Sequence, residues 1–398
     1  MNAWQLTTQE REALRAFLVK LVQTPGLPGE EGEVAALVAA EMRRLNFSNV
    51  WIDEAGNVIG EIGPSGNVPT LLLDSHLDTV AVTDRDAWSL DPWSGALRDG
   101  RLYGVGACDM KGGLAATIYG AAHLLHLGYP LRGRLVVGAV VMEEPSEGLG
   151  TRIVFEKDGL APDWVVIAEP SNCRLIRGQR GHLELQISVH GRSAHSATPD
   201  LGENAIYLAS RLIFGLEILA DQLASDPFLG PGALAVTDIR SSAVSRNAVP
   251  DRCDIVVDRR LTLGETEALA LAEVQRVIAR EGINASTRVI EEEVTTYTGK
   301  TYRVRRISAP WALDATHPLV VSLHNAARDV GISPKIGRWL FATEGAYSAG
   351  VAQVPTVGFG PGDPNVIHGV DEYVELEQVY AAAGVYAALA ARLLGKEG

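Results

Sequence analysis

The stretch "LLLDSHLDTV", residues 71–80, begins as an apolar run suited to a buried strand and then places Asp74, His76 and Asp78 in its second half. Burying ionisable groups without partners costs on the order of several kcal/mol. A strand that ends in His-x-Asp is therefore a capped end, a salt-bridged loop, or a site that uses the imidazole. The same residue types recur further along. "GACDMKGG" sets Asp109 in a glycine-rich loop before a helix, Glu143 and Glu144 follow "LVVGAVVM", and Glu169 follows "WVVIA". His368 lies in a Gly/Pro loop, "GFGPGDPNVIHG", after another apolar run. Each has an ordinary reading when taken alone: an Asp before a helix is usually a cap, paired Glu residues usually form a solvated loop, and a lone loop His is rarely a ligand. At one end of one sheet, however, these carboxylates would repel one another severely, and cations relieve that. Two imidazoles and three carboxylates suit a pair of divalent ions, each with one His and one terminal carboxylate and with a shared bridging Asp. Asp78 then serves as the acceptor that orients His76 and raises its basicity.

The elements that would position these groups are legible as patterns. Helical periodicity runs over residues 8–22 and again through "VAALVAAEMRRLNF", with "TPGLPGEEGE" breaking the chain between them. Short strands follow at "VWIDEA" and "NVIGEIG". Apolar strands at 70–74, 134–142 and 163–170 alternate with helices, the pattern of a mostly parallel sheet covered on both faces. In such a sheet, ligand sites collect beyond the carboxyl ends of the strands. From residue 181 the pattern changes: "HLELQISVHG" alternates apolar and polar residues as a half-exposed antiparallel strand does. A long helix, two strands, a second helix and a last strand at "STRVIEEEV" follow, a βαββαβ order of ferredoxin-like type. The expected fold is therefore α/β: a mixed, mostly parallel sheet sandwiched by helices, built from residues 1–180 and 301–398, with an α+β domain inserted over 181–300.

Bulk properties narrow the function. At 398 residues two domains are the natural expectation, and 46% hydrophobic with 21% charged residues is ordinary globular composition. A formal charge of −14 disfavours nucleic-acid binding, which needs concentrated Lys and Arg. No polybasic stretch suits an anionic membrane, and no uncharged apolar run reaches the ~18 residues of a span. Three well-separated cysteines, Cys108, Cys173 and Cys253, argue against a disulfide framework and fit a reducing compartment. The N-terminus lacks a signal-peptide core. The expectation is a soluble cytoplasmic protein.

The blocks "SHLDTV", "GVGACDMKGG", "VMEEPSEG", "IAEPS" and "HGRSAHSATPD", in this order over nearly the whole chain, resemble the signature blocks of the M20 metallopeptidase and deacylase family. That family includes acetylornithine deacetylase, succinyl-diaminopimelate desuccinylase and carboxypeptidase G2. "IRGQRGHLEL", "SRNAVPDRCDIVVDRRLT" and "GFGPGD" further resemble its YgeY-type branch. The resemblance implies that His76, Asp109, Glu144, Glu169 and His368 hold two divalent ions, most often Zn²⁺ with Co²⁺ or Mn²⁺ as alternatives, and that Asp109 bridges them. It implies that Asp78 supports His76 and that Glu143 is the general base toward a water held between the metals. His195 would cross a homodimer interface formed by residues 181–300 to polarise the substrate carbonyl. Asn247 and Arg260 would contact the oxyanion and a substrate carboxylate, and the inserted domain would close as a lid. "TEGAYSAG", with Gly345, occupies the place of the family's substrate-pocket loop but departs from the commoner "GGTSDAR" form. "GVDEYV", after His368, matches the family's downstream acidic pattern.

The implied activity is hydrolysis of an amide bond in a small N-acyl amino acid or dipeptide. Cleavage of a carbamoyl or other non-peptide C–N bond is the alternative, and a non-catalytic binding protein on the same fold is a third reading. Other features read as structural. His123 and His126 lie at i, i+3 on a helix with no matching carboxylate, Cys108 reads as a packing residue, and His182 and His190 read as exposed or at the dimer contact. "GVGACDMKGG" lacks the GK[ST] ending of a phosphate loop.

Overall fold

The computed structural model describes residues 2–395. Helices α1 (Thr8–Gln23) and α2 (Gly32–Arg44) precede strands β1 (Asn49–Ile52), β2 (Val58–Ile62) and β3 (Thr70–His76). Helix α3 (Gly112–His126), β4 (Arg134–Val140), α4 (Leu149–Glu156), β5 (Trp164–Ile167) and β6 (Leu175–Gln179) complete the first stretch. After the inserted segment come α7 (Pro318–Val330), β11 (Ile336–Trp339), β12 (Thr356–Gly358) and α8 (Leu376–Leu394).

These strands form one nine-stranded sheet in the order β1-β2-β4-β3-β5-β12-β6, with Trp311–Ala312 beyond β6 and β11 also on β6. The central block β4-β3-β5-β12 is parallel, while β1, β2 and β6 join it antiparallel. Both faces are covered, and the pleat explains why the strands read as continuous apolar runs. Leu71 and Leu73 point into the larger core under α1, α2, α3 and α8, whereas Leu72 points into a second cluster with Val136, Val165 and Trp339 on the opposite face.

Residues 181–289 carry their own core. β7 (Gly181–His190), α5 (Ala205–Ala220), β8 (Ala233–Ser241), β9 (Arg252–Leu261), α6 (Glu267–Glu281) and β10 (Ala285–Val289) follow the βαββαβ order. Their strands lie in the antiparallel order β10-β7-β9-β8, the ferredoxin-like arrangement. Leu183, Leu185, Ile187 and Val189 alternate inward onto α5 and α6, so the period-2 pattern at 182–191 reports one covered face.

The "STRVIEEEV" run differs from its expected form as one strand. β10 stops at Val289, and Glu291–Thr295 pairs instead with Thr301–Arg305 in a separate hairpin. Val294, Val304, Tyr297 and Tyr302 of that hairpin join the core of the large sheet, and Tyr297 Oη donates to the Gly56 carbonyl at 3.1 Å. Ile307–Ser308 then returns to pair with β7. Among the described residues no helix is long and apolar enough to cross a membrane.

Candidate metal centre

Because β4, β3, β5 and β12 are parallel, their carboxyl ends share one edge. His76 is the last residue of β3, Glu143 and Glu144 follow β4, Glu169 follows β5, and the loop after β12 carries His368. Asp109 arrives from the side, in the turn that starts α3. Two glycines let the loops close over this edge: a Cβ at Gly113 or at Gly360 would collide with the Ala168 carbonyl oxygen. The glycines of "DMKGG" and "GFGPG" thus bring Asp109 and the His368 loop onto the Glu169 strand end.

The ligand-type atoms fall into two groups that share Asp109. His76 Nε2 lies 3.2 Å from Asp109 Oδ1 and 3.5 Å from Glu169 Oε1. His368 Nε2 lies 3.2 Å from Asp109 Oδ2 and 3.2 Å from Glu144 Oε2. Each triad, His76–Asp109–Glu169 and Asp109–Glu144–His368, could hold one ion. The Asp109–Met110 peptide is cis.

Supporting contacts hold these groups in place. His76 Nδ1 donates to the Asp78 carbonyl at 2.9 Å, with the Asp78 carboxylate at 3.6 Å. That carboxylate accepts the Glu143 and Glu144 N–H groups at 3.1 and 3.0 Å. The backbone carbonyl therefore fixes the imidazole tautomer, and the side chain fixes the Glu143–Glu144 pair. Glu372, from "GVDEYV", accepts the N–H groups of Gly106, Cys108 and Asp109 at 3.2, 2.8 and 3.0 Å and so shapes the Asp109 loop.

The electrostatics are those of a cation site. Burial opposes charge on His76, but Asp109, Glu169, Glu143 and Asp78 outweigh it and lift its pKa well above the usual value. Hydrogen bonds to Asp109 and Glu144 raise His368 to about 10. Against the effect of burial, the two imidazoles hold Asp109 far below the carboxylate range. Burial and then Asp109 push Glu169 up; burial and then Glu344 push Glu143 up. Protons on the two imidazoles would stand in for positive charge, yet Glu144 Oε1 remains buried without a hydrogen-bond partner. Two His nitrogens and three carboxylates around a doubly used Asp109 fit two divalent ions.

Other expected site residues lie outside this cluster. His195 pairs with Ala248 in a short ribbon, and its exposed ring accepts the Ala197 N–H at Nδ1, 3.0 Å, leaving Nε2–H outward. Asn247 is beside it, its carbonyl accepting from Ser196 N at 2.9 Å. Arg260 on β9 grips Asp258 with Nε and Nη2 at 2.9 and 3.0 Å. Gly345 opens the short helix Gly345–Ser348 flat against the Trp311 indole.

Two expectations are corrected. His182 is neither exposed nor open to a partner: it is 6% exposed, with Nδ1 3.4 Å from Glu147 Oε1 and Nε2 3.3 Å from Asp258 Oδ2. The first strand of the inserted sheet begins against the Glu143–Glu147 loop, which buries it. His123 and His126 do have a matching carboxylate, from another helix: Glu10 Oε1 lies 2.8 and 2.9 Å from their Nδ1 atoms. Sequence reasoning also missed Glu344, fully buried beside Glu143 and Glu169. Its only signal was an acidic residue inside an otherwise small-residue loop.

Comparison with known proteins gives the family and the fold. The model of peptidase family M20/M25/M40 matches residues 72–392. The uncharacterized protein YgeY of Escherichia coli K12 is 34% identical over 382 residues, covering 96% of this chain and 94% of that protein. Succinyl-diaminopimelate desuccinylase of Gluconacetobacter diazotrophicus is 27% identical, covering 94% and 95%. The fold matches aminopeptidase PepT of Bacillus cereus with a TM-score of 0.74 at 18% identity, covering 96% of this chain and 98% of that one. It also matches the YXEP protein of Bacillus subtilis, described as a dinuclear metal binding peptidase, with a TM-score of 0.72 at 16% identity and 98% and 99% coverage. The chain belongs to peptidase family M20/M25/M40 and is a metal-dependent hydrolase of amide bonds.

Proposed function

We propose that this protein hydrolyses the amide bond of a small N-acyl amino acid or dipeptide with two divalent ions, Zn²⁺ first and Co²⁺ or Mn²⁺ as alternatives. His76 and Glu169 would hold one ion, Glu144 and His368 the other, and Asp109 both. The observation that carries the reading is the pair of triads sharing Asp109, with a further buried carboxylate, Glu143, beside them. When bound, such ions polarise an amide carbonyl and acidify water.

The chain's own residues supply the rest. Glu143, its pKa raised by burial and by Glu344, takes a proton from the attacking water and passes it to the leaving amine. Asp78 holds Glu143 and Glu144 by their N–H groups, so base and ligand keep a fixed separation. His195 Nε2–H and Asn247 serve as oxyanion donors, each worth about 3 kcal/mol in the transition state. Arg260 binds a substrate carboxylate in place of its present partner Asp258.

His195 and Asn247 sit on the inserted segment, so residues 181–300 act as a lid and dimerisation unit, its core ending near Ile290. Tyr207, Phe214 and Ile218 form an exposed apolar stripe on α5, and β8 leaves a free sheet edge. Both features suit a homodimer that delivers His195 to a partner's site. The three cysteines are free and buried, which agrees with a cytoplasmic location.

The test is incubation of Zn²⁺- or Co²⁺-loaded protein with pooled dipeptides and N-acetyl, N-succinyl and N-carbamoyl amino acids, read by mass spectrometry with Glu143→Ala as control. Cleavage lost in the variant supports the reading and identifies the acyl group. Cleavage confined to N-carbamoyl substrates would move the assignment to another C–N bond. Absence of both cleavage and metal binding would overturn it.

A further inference from the structure

The centre holds more buried carboxylate than two ions and a base require. Glu344 lies just ahead of Gly345, is 0% exposed, and neither carboxylate oxygen has a hydrogen-bond partner among the described residues. Its carboxylate and those of Glu143 and Glu169 offer oxygens within 4.8 Å of one another. After burial, the negative charge of Asp74, two residues before His76 on β3, also pushes the Glu344 carboxyl up. Asp74 Oδ2 accepts the Thr151 hydroxyl at 2.7 Å, while Oδ1 is also buried and unpartnered.

This arrangement is held in place. Thr343 Oγ1 donates to Gln179 Oε1 at 2.7 Å and accepts the Gly345 N–H at 3.1 Å, so the residues on either side of Glu344 are pinned. A buried carboxylate with both oxygens unpaired is strongly unfavourable, at least as much so as an orphaned neutral polar group. The separation of the three carboxylates lets one small cation touch all of them at charge-assisted hydrogen-bond distance, roughly 2.7–2.9 Å. Glu143 faces the reacting amide in the reading above, so a cation lodged between Glu143 and Glu344 lies within a few bonds of that amide.

We propose that Glu344 is the specificity-determining residue that receives an ammonium group of the substrate, and that the substrates are therefore peptides or acyl amino acids carrying a free amino group near the scissile bond. This rests on the hydrolase reading for the position of the bond. The group that fills the site belongs to the substrate, and a third metal ion is the rival occupant.

The test uses matched pairs in which a methyl group replaces the ammonium: alanyl-alanine against isobutyryl-alanine, and Nα-acetylornithine against Nα-acetylnorleucine. In metal-loaded wild type, the ammonium member of at least one pair is preferred by about 100-fold or more in kcat/KM, because the buried carboxylate is left unpaired by the analogue. Glu344→Gln reduces that preference to within about threefold, because the ammonium member loses far more kcat/KM than the methyl member. Calorimetric titration of the same pairs into metal-loaded Glu143→Gln and Glu143→Gln/Glu344→Gln proteins reads the discrimination as Kd without turnover. Discrimination in Kd without hydrolysis of these pairs by wild type keeps the ammonium site and overturns only its placement beside the scissile bond. No preference for either ammonium member in wild type, an equal loss for both members in Glu344→Gln, or a loss of one metal equivalent in that variant overturns the proposal.

Discussion

Raising the pH should loosen the join between the inserted sheet and the Glu143–Glu147 loop, and His182 is the group through which it acts. The ring bridges Glu147 on one side and Asp258 on the other, at 3.4 and 3.3 Å. Burial alone would discharge it, but the contacts to Asp258 and Glu147 outweigh burial and lift its pKa from 6.5 to about 9. Glu147 and Asp258 answer in kind: against burial, the His182 contact holds both below their ordinary range. A folded-state pKa above the unfolded one gives stabilisation that is complete below about pH 6.5 and lost as pH rises through about 9. At about 1.36 kcal/mol per pH unit, the interval from 6.5 to 9 corresponds to roughly 3 kcal/mol. The Nε2–Asp258 contact is off the ideal hydrogen-bond line, so this is an upper bound. Urea unfolding followed by tryptophan fluorescence, at about pH 6.5 and about pH 9.5, gives the comparison. Wild type should lose up to about 3 kcal/mol more than His182→Gln across that interval. Equal losses in the two proteins would mean the folded ring is neutral, and the reasoning would fail.

Four further outcomes follow from named contacts. Asp109→Asn should abolish binding of both ions whereas His368→Ala should remove one, counted by metal analysis after dialysis; an equal loss in the two variants would deny Asp109 its shared position. Asp78→Asn should weaken metal affinity about 10–100-fold, measured by competition with a chelator. A Cβ at Gly345 would stand 2.6 Å from Trp311 Nε1, so Gly345→Ala should destabilise by about 1–3 kcal/mol; an unchanged Tm would show that the indole yields freely. Glu10→Gln weakens contacts to His123, His126 and the Thr7 N–H and should cost about 1.5–3 kcal/mol. Amide exchange over residues 8–23 should speed up with it, and unchanged exchange would exclude a clamping role.

What could be read from the chain was whatever repeats locally. The alternation at 182–191 and the apolar runs at 70–74, 134–142 and 163–170 show within a few residues, and the edge position of His76, Glu144 and Glu169 follows from parallel pairing. What escaped was decided by contacts between distant segments. Glu10 meets His123 across 113 residues, and His182 meets Glu147 and Asp258 only because three elements converge. Glu344 is an ordinary acidic residue until the loop buries it. β6 and β11 were not foreseen, since "LIRGQ" and "IGRW" show neither period nor a turn signal. The break of "STRVIEEEV" at Ile290 is likewise tertiary: Ile290 N–H bonds to Glu184 O and its carbonyl accepts from Arg306, so the chain turns off the sheet there.

The interleaving of the two cores also sets an order of events during synthesis. Apart from Ile307, every member of the inserted core lies between Leu183 and Val289, so that core can close while the ribosome is still translating the rest. The large core runs from Leu6 to Leu394, and β5 waits for a neighbour, β12, that begins at Thr356. Long-range parallel pairing is slow because loop closure precedes any reward. A growing chain therefore passes through a stage with a folded middle and a β5 edge, Val165–Ile167, still waiting for its last neighbour. That stage is the one most exposed to aggregation and most in need of chaperone cover.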